Sequence, residues 1–287
     1  MPPPGSPGMI AAGFLLAALV GLAGWRAGAL TPGGAVGATL IGGAVFGFGG
    51  FTWAVLLVAF FLSSSLLSRV GRHHKAQTAA VEKEGPRDLM QTLTNGGLAL
   101  LMALAVGGWG HASPWYPYLT LAYFGSLAAA TADTWATELG MLSNRPPRLI
   151  TTGEIIQPGV SGGVSLLGLT ASLAGGLFIG LVAFLTIQAA SLLTTGQWFP
   201  SDWFLLLILP LAGFLASLFD SFLGATGQRL YYCERCAVVT EQPIHHCGRP
   251  ARLVQGVAWM NNDLVNFLGA CMGAITAILF SLPFLSP

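Results

Sequence analysis

Residues 115–140 read WYPYLTLAYFGSLAAATADTWATELG. From Trp115 to Ala132 no side chain is charged, and then Asp133 and Glu138 follow in quick succession. An ionised carboxylate at or near hydrocarbon costs about 2.5–3.5 kcal/mol on insertion scales, so it usually marks a functional site. Asp220 and Asp263 stand at the edges of two further apolar runs. These acidic groups are scarce in a chain of 287 residues that is 54% hydrophobic, with mean hydropathy +0.70. A soluble domain would carry about 25% charged residues; this chain carries 8%. Apolar runs of roughly 20 residues, long enough to cross a bilayer, recur along its length. Eight are expected, at about 9–28, 33–49, 51–68, 92–109, 115–139, 163–192, 203–224 and 258–284, the second short and Gly-rich. Residues 1–8 offer no basic leader and the first run no cleavage site, so it reads as a retained span. The expected fold is therefore an all-α polytopic membrane protein, one helical domain over 1–287 with a Cys/His loop at 229–256 between the last two spans.

The twelve Lys and Arg residues orient these spans. Arg26 ends the first. Arg69, Arg72, Lys75, Lys83 and Arg87 follow the third, Arg145 and Arg148 the fifth, and Arg229, Arg235, Arg249 and Arg252 the seventh. With the N-terminus outside, every one of them falls on the cytoplasmic side of a cell (inner) membrane, and the C-terminus also lies outside. The connections at 108–115 and 194–203 contain none. A net charge of +1 thus hides a one-sided distribution. It is the distribution of a membrane protein, and no nucleic-acid partner is expected.

That topology assigns a depth to each unusual polar residue. Asn95 lies at the cytoplasmic start of span four. Asp133 and Glu138 lie toward the cytoplasmic end of span five, and Asp220 toward that of span seven. Asn261, Asn262, Asp263 and Asn266 open span eight, and Ser161-Gly162-Gly163 opens span six. Carboxylates, carboxamides and a glycine turn are thereby expected at one level of the membrane. Arg87, Gln91 and Asn95 are spaced by four and would form one polar stripe on a helix, as would Asn262 with Asn266. Asp133 and Glu138 are five apart, about 140° around a helix, which argues against both reaching one ion. The likeness of Asp133-Thr134-Trp135 to Asp220-Ser221-Phe222 hints at an internal repeat.

Between spans seven and eight, Cys233-Glu234-Arg235-Cys236 is followed by His245-His246-Cys247. Thiolates and an imidazole at this spacing suit a closed, tetrahedral structural Zn²⁺. Cys233, Cys236, Cys247 and one of the two histidines are the expected ligands, with His245 and His246 equally open. On a cytoplasmic face a disulfide is disfavoured.

No GxxxxGK[ST] or HExxH occurs, so a P-loop kinase and a zincin are excluded. Carboxylates with neutral oxygen donors suit Mg²⁺, which often shares its ligands with phosphates. Arginines and free backbone N–H groups at Ser161-Gly162-Gly163 would complement phosphate charge. Phosphoryl transfer at a membrane surface fits these parts, because it needs positioning and charge neutralisation more than covalent help.

Five segments then carry a family likeness. They are Glu84-Gly85-Pro86-Arg87 with Gln91 and Asn95-Gly96; Ala132-Asp133-Thr134-Trp135-Ala136-Thr137-Glu138-Leu139-Gly140; Pro147-Arg148-Leu149-Ile150-Thr151-Thr152 with Ser161-Gly162-Gly163-Val164-Ser165; Asp220-Ser221-Phe222-Leu223-Gly224-Ala225-Thr226-Gly227-Gln228; and Asn261-Asn262 with Asn266. Over about residues 30–278 the chain resembles the integral membrane family that includes plant phytyl-phosphate kinase and transmembrane protein nineteen. Thr137 departs from the family's common Ser, and Val160-Ser161 stand where Thr-Asn often precede the glycines.

The resemblance implies transfer of a phosphoryl group from a nucleoside triphosphate, CTP, to a prenyl monophosphate such as phytyl or geranylgeranyl phosphate. In that reading Asp133 and Asp220 hold Mg²⁺, and Glu138 is a further ligand or base. Asn95, Asn262 and Asn266 orient phosphate or ligand oxygens. Arg87, Arg148 and Arg229 contact phosphates, with Gln91, Ser161, Gly162, Gly163, Asn261 and Asp263 around the substrates. The isoprenoid tail would enter among the helices from the surrounding membrane lipid, and the reading leaves room for a homo-oligomer. Two other classes compete. A cation-coupled transporter would need its site reachable from both faces, and a CDP-lipid phosphotransferase would release CMP or pyrophosphate where a kinase releases a nucleoside diphosphate.

Overall fold

The computed structural model describes residues 3–71, 85–198 and 200–285. Arg72, Lys75, Lys83 and Glu84, which entered the charge partition and the first motif, lie outside the described residues. Eight α-helices appear among those described: α1 (Pro7–Arg26), α2 (Pro32–Ala44), α3 (Phe51–Leu67), α4 (Leu89–Trp109), α5 (Tyr116–Gly140), α6 (Leu166–Thr195), α7 (Leu205–Thr226) and α8 (Asn262–Ser281). They correspond one for one to the eight apolar runs. Helix starts follow local chemistry. Ser6, Thr31, Asp88, Ser165 and Asn261 each accept a hydrogen bond from a backbone N–H in the first turn, and Pro7 and Pro32 occupy first-turn positions where no donor is needed. A π-helical turn, Val45–Gly49, extends α2 before Gly50 breaks it.

Among the described residues, six segments are long and apolar enough to cross a membrane: Pro7–Arg26, Pro32–Gly49, Leu89–Trp109, Leu166–Thr195, Asp202–Thr226 and Asn262–Phe284. The α3 helix is apolar but has only 17 residues. The α5 helix has 25 residues yet is not among the six, and its surroundings explain why. Every residue from Leu121 to Ala132 is buried, because α5 packs against α3, α4, α6, α7 and α8. A helix enclosed by other helices needs small side chains for close approach rather than bulky ones for lipid. Its middle reads Leu127-Ala128-Ala129-Ala130-Thr131-Ala132 accordingly.

The tightest crossing joins α5 to α8 through Gly125 and Gly273. A Cβ on either glycine would collide with the backbone carbonyl oxygen of the other. Replacing Gly273 by Leu is expected to force these helices apart and cost about 1–3 kcal/mol, read as earlier thermal unfolding of detergent-solubilised protein. On the neighbouring face, Tyr123 stacks on Trp53 of α3 with ring centres 4.1 Å apart, and its hydroxyl donates to Trp53 O at 2.6 Å.

Two small sheets sit at one end of this bundle. Strands β1 (Arg148–Leu149) and β2 (Gly163–Val164) pair antiparallel in the α5–α6 connection. Between α7 and α8, β3 (Leu230–Cys233), β4 (Val238–Thr240) and β5 (Arg252–Gln255) form an antiparallel sheet in the order β4-β3-β5. Gln255 Nε2 donates to Gly224 O at 2.9 Å, tying this sheet to the end of α7. At the same end the Arg69 guanidinium donates to Ala27 O, joining the end of α3 to the α1–α2 turn.

Candidate active site and metal centre

One open cleft of about 290 Å³ lies at this end of the bundle. Among the residues singled out from sequence, Arg87, Gln91, Asn95, Asp133, Glu138, Ser161, Gly162, Gly163, Asp220, Asn262 and Asn266 all line it. They come from α4 and the residue before its cap, α5, α7, α8 and the α5–α6 connection, and they meet in this one cleft. Asp133 and Asp220, on different helices, open into the same space. Despite lying about 140° from Asp133 around α5, Glu138 also reaches the cleft. Its Oε1 accepts a hydrogen bond from Ser68 Oγ at 2.6 Å, at the end of α3.

Two local geometries differ from the expected ones. Arg87 does not share a helical stripe with Gln91 and Asn95, because Asp88 caps α4 by accepting from Gln91 N at 2.8 Å, so Arg87 precedes the helix. Instead its backbone is clasped by the α1–α2 turn: Arg87 N donates to Ala29 O and Thr31 N donates to Arg87 O, both at 3.0 Å. Its guanidinium carbon lies 5.7 Å and 5.9 Å from the ring centres of Phe60 and Phe61. Burial lowers its pKa from the ordinary arginine value, while the Glu138 carboxylate pushes it back up.

Ser161-Gly162-Gly163 likewise does not begin α6. Gly163 enters β2, and Ser165 caps the helix by accepting from Gly168 N at 3.1 Å. Gly162 instead supplies a turn, with φ +86°, pressed so closely on α7 that a Cβ there would sit 2.6 Å from Ala225 Cα. Ser161 becomes a link in a chain of side chains rather than a free hydroxyl. Its Oγ donates to Glu241 Oε1 at 3.0 Å, and Gln228 Nε2 lies 2.9 Å from Ser161 Oγ and 3.0 Å from Glu241 Oε1.

Four residues expected at the site lie elsewhere, and for three of them a nearby backbone group holds the side chain. Arg148 Nη1 donates to Gly153 O at 2.7 Å and braces the turn after β1. Arg229 Nη1 donates to Ala258 O at 2.9 Å. Asn261 Oδ1 accepts from Leu264 N at 3.0 Å as the N-cap of α8, and Asp263 sits in the first turn beyond it. None of the four lines the cleft.

Glu241 does line the cleft and was not singled out from sequence. It follows β4 in the Cys/His loop, where nothing in the spacing of residues marks it. Gln228 closes the fourth motif and is 1% exposed, but its partnership with Glu241 depends on how the loop folds back.

The same loop gathers Cys233, Cys236, His245 and Cys247, whose ligand atoms all lie within 4.8 Å of one another and could hold a metal ion. Of the two adjacent histidines, His245 is the one that belongs to this group. Its buried Nδ1 has no hydrogen-bond partner among the described residues, as suits a ring nitrogen reserved for a metal. The neighbouring His245 and the Arg249 backbone bring the Cys247 thiol down to about 6, close to thiolate at neutral pH.

Comparison with known proteins gives this arrangement a context. The model for "Integral membrane protein DUF92" matches residues 15–274. Protein PGR of Arabidopsis thaliana is 36% identical over 236 residues, 76% of this chain and 78% of its own. An uncharacterized membrane protein of Methanocaldococcus jannaschii is 30% identical over 247 residues, 86% of this chain and 83% of its own. Protein VTE6, chloroplastic, of Arabidopsis thaliana is 26% identical over 277 residues, 95% of this chain and 65% of its own. No solved structure matches. Since the family model spans nearly all of the bundle and the cleft, the chain belongs to the DUF92 family of integral membrane proteins, the family its polar motifs indicate.

Proposed function

We propose that this protein is a membrane kinase that transfers the γ-phosphoryl group of a nucleoside triphosphate, CTP, to a prenyl monophosphate such as phytyl or geranylgeranyl phosphate. The observation that carries this reading is the meeting of Asp133, Glu138 and Asp220 with Arg87, Asn95, Asn262 and Asn266 in one cleft. The motif likeness to a family with a prenyl-phosphate kinase member supports it.

Asp133 and Asp220 are the carboxylates that would hold Mg²⁺, and the carboxamide oxygens of Asn262 and Asn266 complete a hard, all-oxygen donor set. Bound there, the ion would supply charge neutralisation for the triphosphate. In the transfer, an acceptor phosphate oxygen forms a bond to the γ-phosphorus. The bond to the β–γ bridging oxygen breaks, and the nucleoside diphosphate leaves with that electron pair. The acceptor's second pKa is about 6, so it is already largely ionised at neutral pH and no protein base is required. We assign Arg87 to the acceptor phosphate, and Glu138, held by Ser68, to orienting Arg87.

The cationic loops argue for a cytoplasm-facing cleft in a cell (inner) membrane with both termini outside. We assign Zn²⁺ to the Cys/His centre, because tetrahedral Zn–S bonds of about 2.3 Å separate two sulfurs by about 3.8 Å, and Cys233 and Cys247 Sγ lie 3.7 Å apart. That centre serves structure, with the loop at 229–256 holding Glu241 toward the cleft.

The test is purified protein with CTP labelled at the γ-phosphate, Mg²⁺ and a panel of prenyl monophosphates. Labelled prenyl diphosphate together with CDP is the expected product. Release of CMP or pyrophosphate would indicate a CDP-lipid reaction instead, and nucleotide-independent solute uptake in proteoliposomes would indicate a transporter.

A further inference from the structure

A second cavity, about 380 Å³ and almost wholly apolar, runs between α1, α2 and α3. Its volume falls in the range of about 300–1,000 Å³ typical of small-molecule sites. The two cavities are continuous in their lining: Arg87, Gln91 and Asn95 border both. Beyond those residues and Thr92 the wall is apolar, with Leu16 and Val20 on α1, Ile41 on α2, and Phe51, Ala54 and Phe61 on α3. From Phe51 to Phe61 the groove follows α3 for about 15 Å, which is the depth of one leaflet of a roughly 30 Å hydrocarbon core.

We propose that this groove is the chamber for the acceptor's prenyl tail. The tail would lie along α3 within one leaflet, its phosphate turned at Arg87 into the polar cleft. The proposal deepens the kinase reading above and rests on it for the identity of the headgroup. An amphiphile needs an apolar channel that ends at a cation, and here the cation is seated on the channel's own aromatic floor. The Arg87 guanidinium lies against Phe60 and Phe61, both of which line the groove, and those rings stabilise it where it is desolvated. The tail therefore meets carbon all along the groove, and the anion meets a cation at its mouth.

Ala54 provides the test. It lines the groove about 10 Å along α3 from Phe60 and Phe61, on which Arg87 lies, so a bulky residue there shortens the chamber while leaving its mouth open. Ala54→Trp is expected to raise the ratio of KM for phytyl phosphate to KM for geranyl phosphate by about tenfold or more. Leu207→Trp, on an exposed, non-lining position of α7, should leave that ratio as in the wild type and controls for folding.

A binding readout keeps the groove separate from the reaction. Wild-type protein in nanodiscs, photolysed with a prenyl monophosphate carrying a terminal diazirine, should be labelled in α3. Excess geranylgeranyl phosphate should remove that label and excess phosphatidylglycerol should not. Labelling without turnover would overturn the kinase reading and uphold the groove as a prenyl-phosphate site. Labelling elsewhere, equal competition by phospholipid, or an unchanged KM ratio in Ala54→Trp would overturn the groove.

Discussion

Asp220→Asn and Asp133→Asn should each lower CTP-dependent phosphorylation of a prenyl monophosphate on the order of 100-fold or more, the usual cost of removing one group that stabilises transition-state charge. Each substitution keeps shape and hydrogen-bonding capacity but deletes the negative charge proposed to bind a divalent ion. Both residues line the cleft from separate helices, so neither can take over the other's position. The decisive measurement is the Mg²⁺ dependence of the residual rate. Loss of the metal site predicts that the required Mg²⁺ concentration rises, whereas simple misfolding would lower the active fraction without moving it. Full turnover in Asp133→Asn would refute the assignment. Asn266→Ala is expected to have a smaller effect, since it removes one neutral donor from the set.

Cys233→Ser is the second large effect, and it acts through the loop rather than the cleft. A structural zinc site contributes apparent binding energies of about 10–16 kcal/mol in isolated finger peptides, and that energy is folding energy. The substituted protein should lose its metal, from one ion per chain to near none by elemental analysis. Trypsin should then cut at Arg235 or Arg252, inside the loop. His246→Ala should keep the metal, because His245 belongs to the ligand group and His246 does not. Turnover should fall about 10–100-fold in Cys233→Ser, the usual range when a supporting shell is lost, because Glu241 and Gln228 hold Ser161 through contacts that start in this loop. Metal retained in Cys233→Ser would refute the site.

The bundle was legible because hydrocarbon imposes its length on the sequence. Each apolar run became one helix, and errors fell at the ends where turn chemistry decides. The α6 start moved to Leu166 because Ser165 caps it, while Ser161, Gly162 and Gly163 went to a turn and strand. The convergence of polar residues was legible for a related reason. A one-sided set of cations fixes which helix ends share a level, and alternating spans then place Asn95, Asp133, Asp220 and Asn262 together.

What could not be read was competition for side chains. Arg148, Arg229 and Asn261 have phosphate- or ligand-binding chemistry, but each is held by a nearby backbone group. That depends on turn geometry over a few residues and leaves no mark in motif spacing. Glu241 was invisible for a different reason. It reaches the cleft because the β3–β4 hairpin brings it against Ser161, a contact between residues distant in the chain.

The enclosed α5 helix carries a consequence for how the protein is made. Its Ala-rich middle and terminal carboxylates are well suited to an interior lined by α6, α7 and α8, and poorly suited to lipid alone. Asp opposes partitioning by up to about 2.5–3.5 kcal/mol at the centre of a span and by less toward its end, while Leu or Phe favours it by only about 0.3–0.6 each. As α5 leaves the ribosome, the helices that will wrap it on the C-terminal side do not yet exist. Its entry into the bilayer should therefore wait on α6 and α7, so that the helix carrying Asp133 and Glu138 joins the membrane as part of a group.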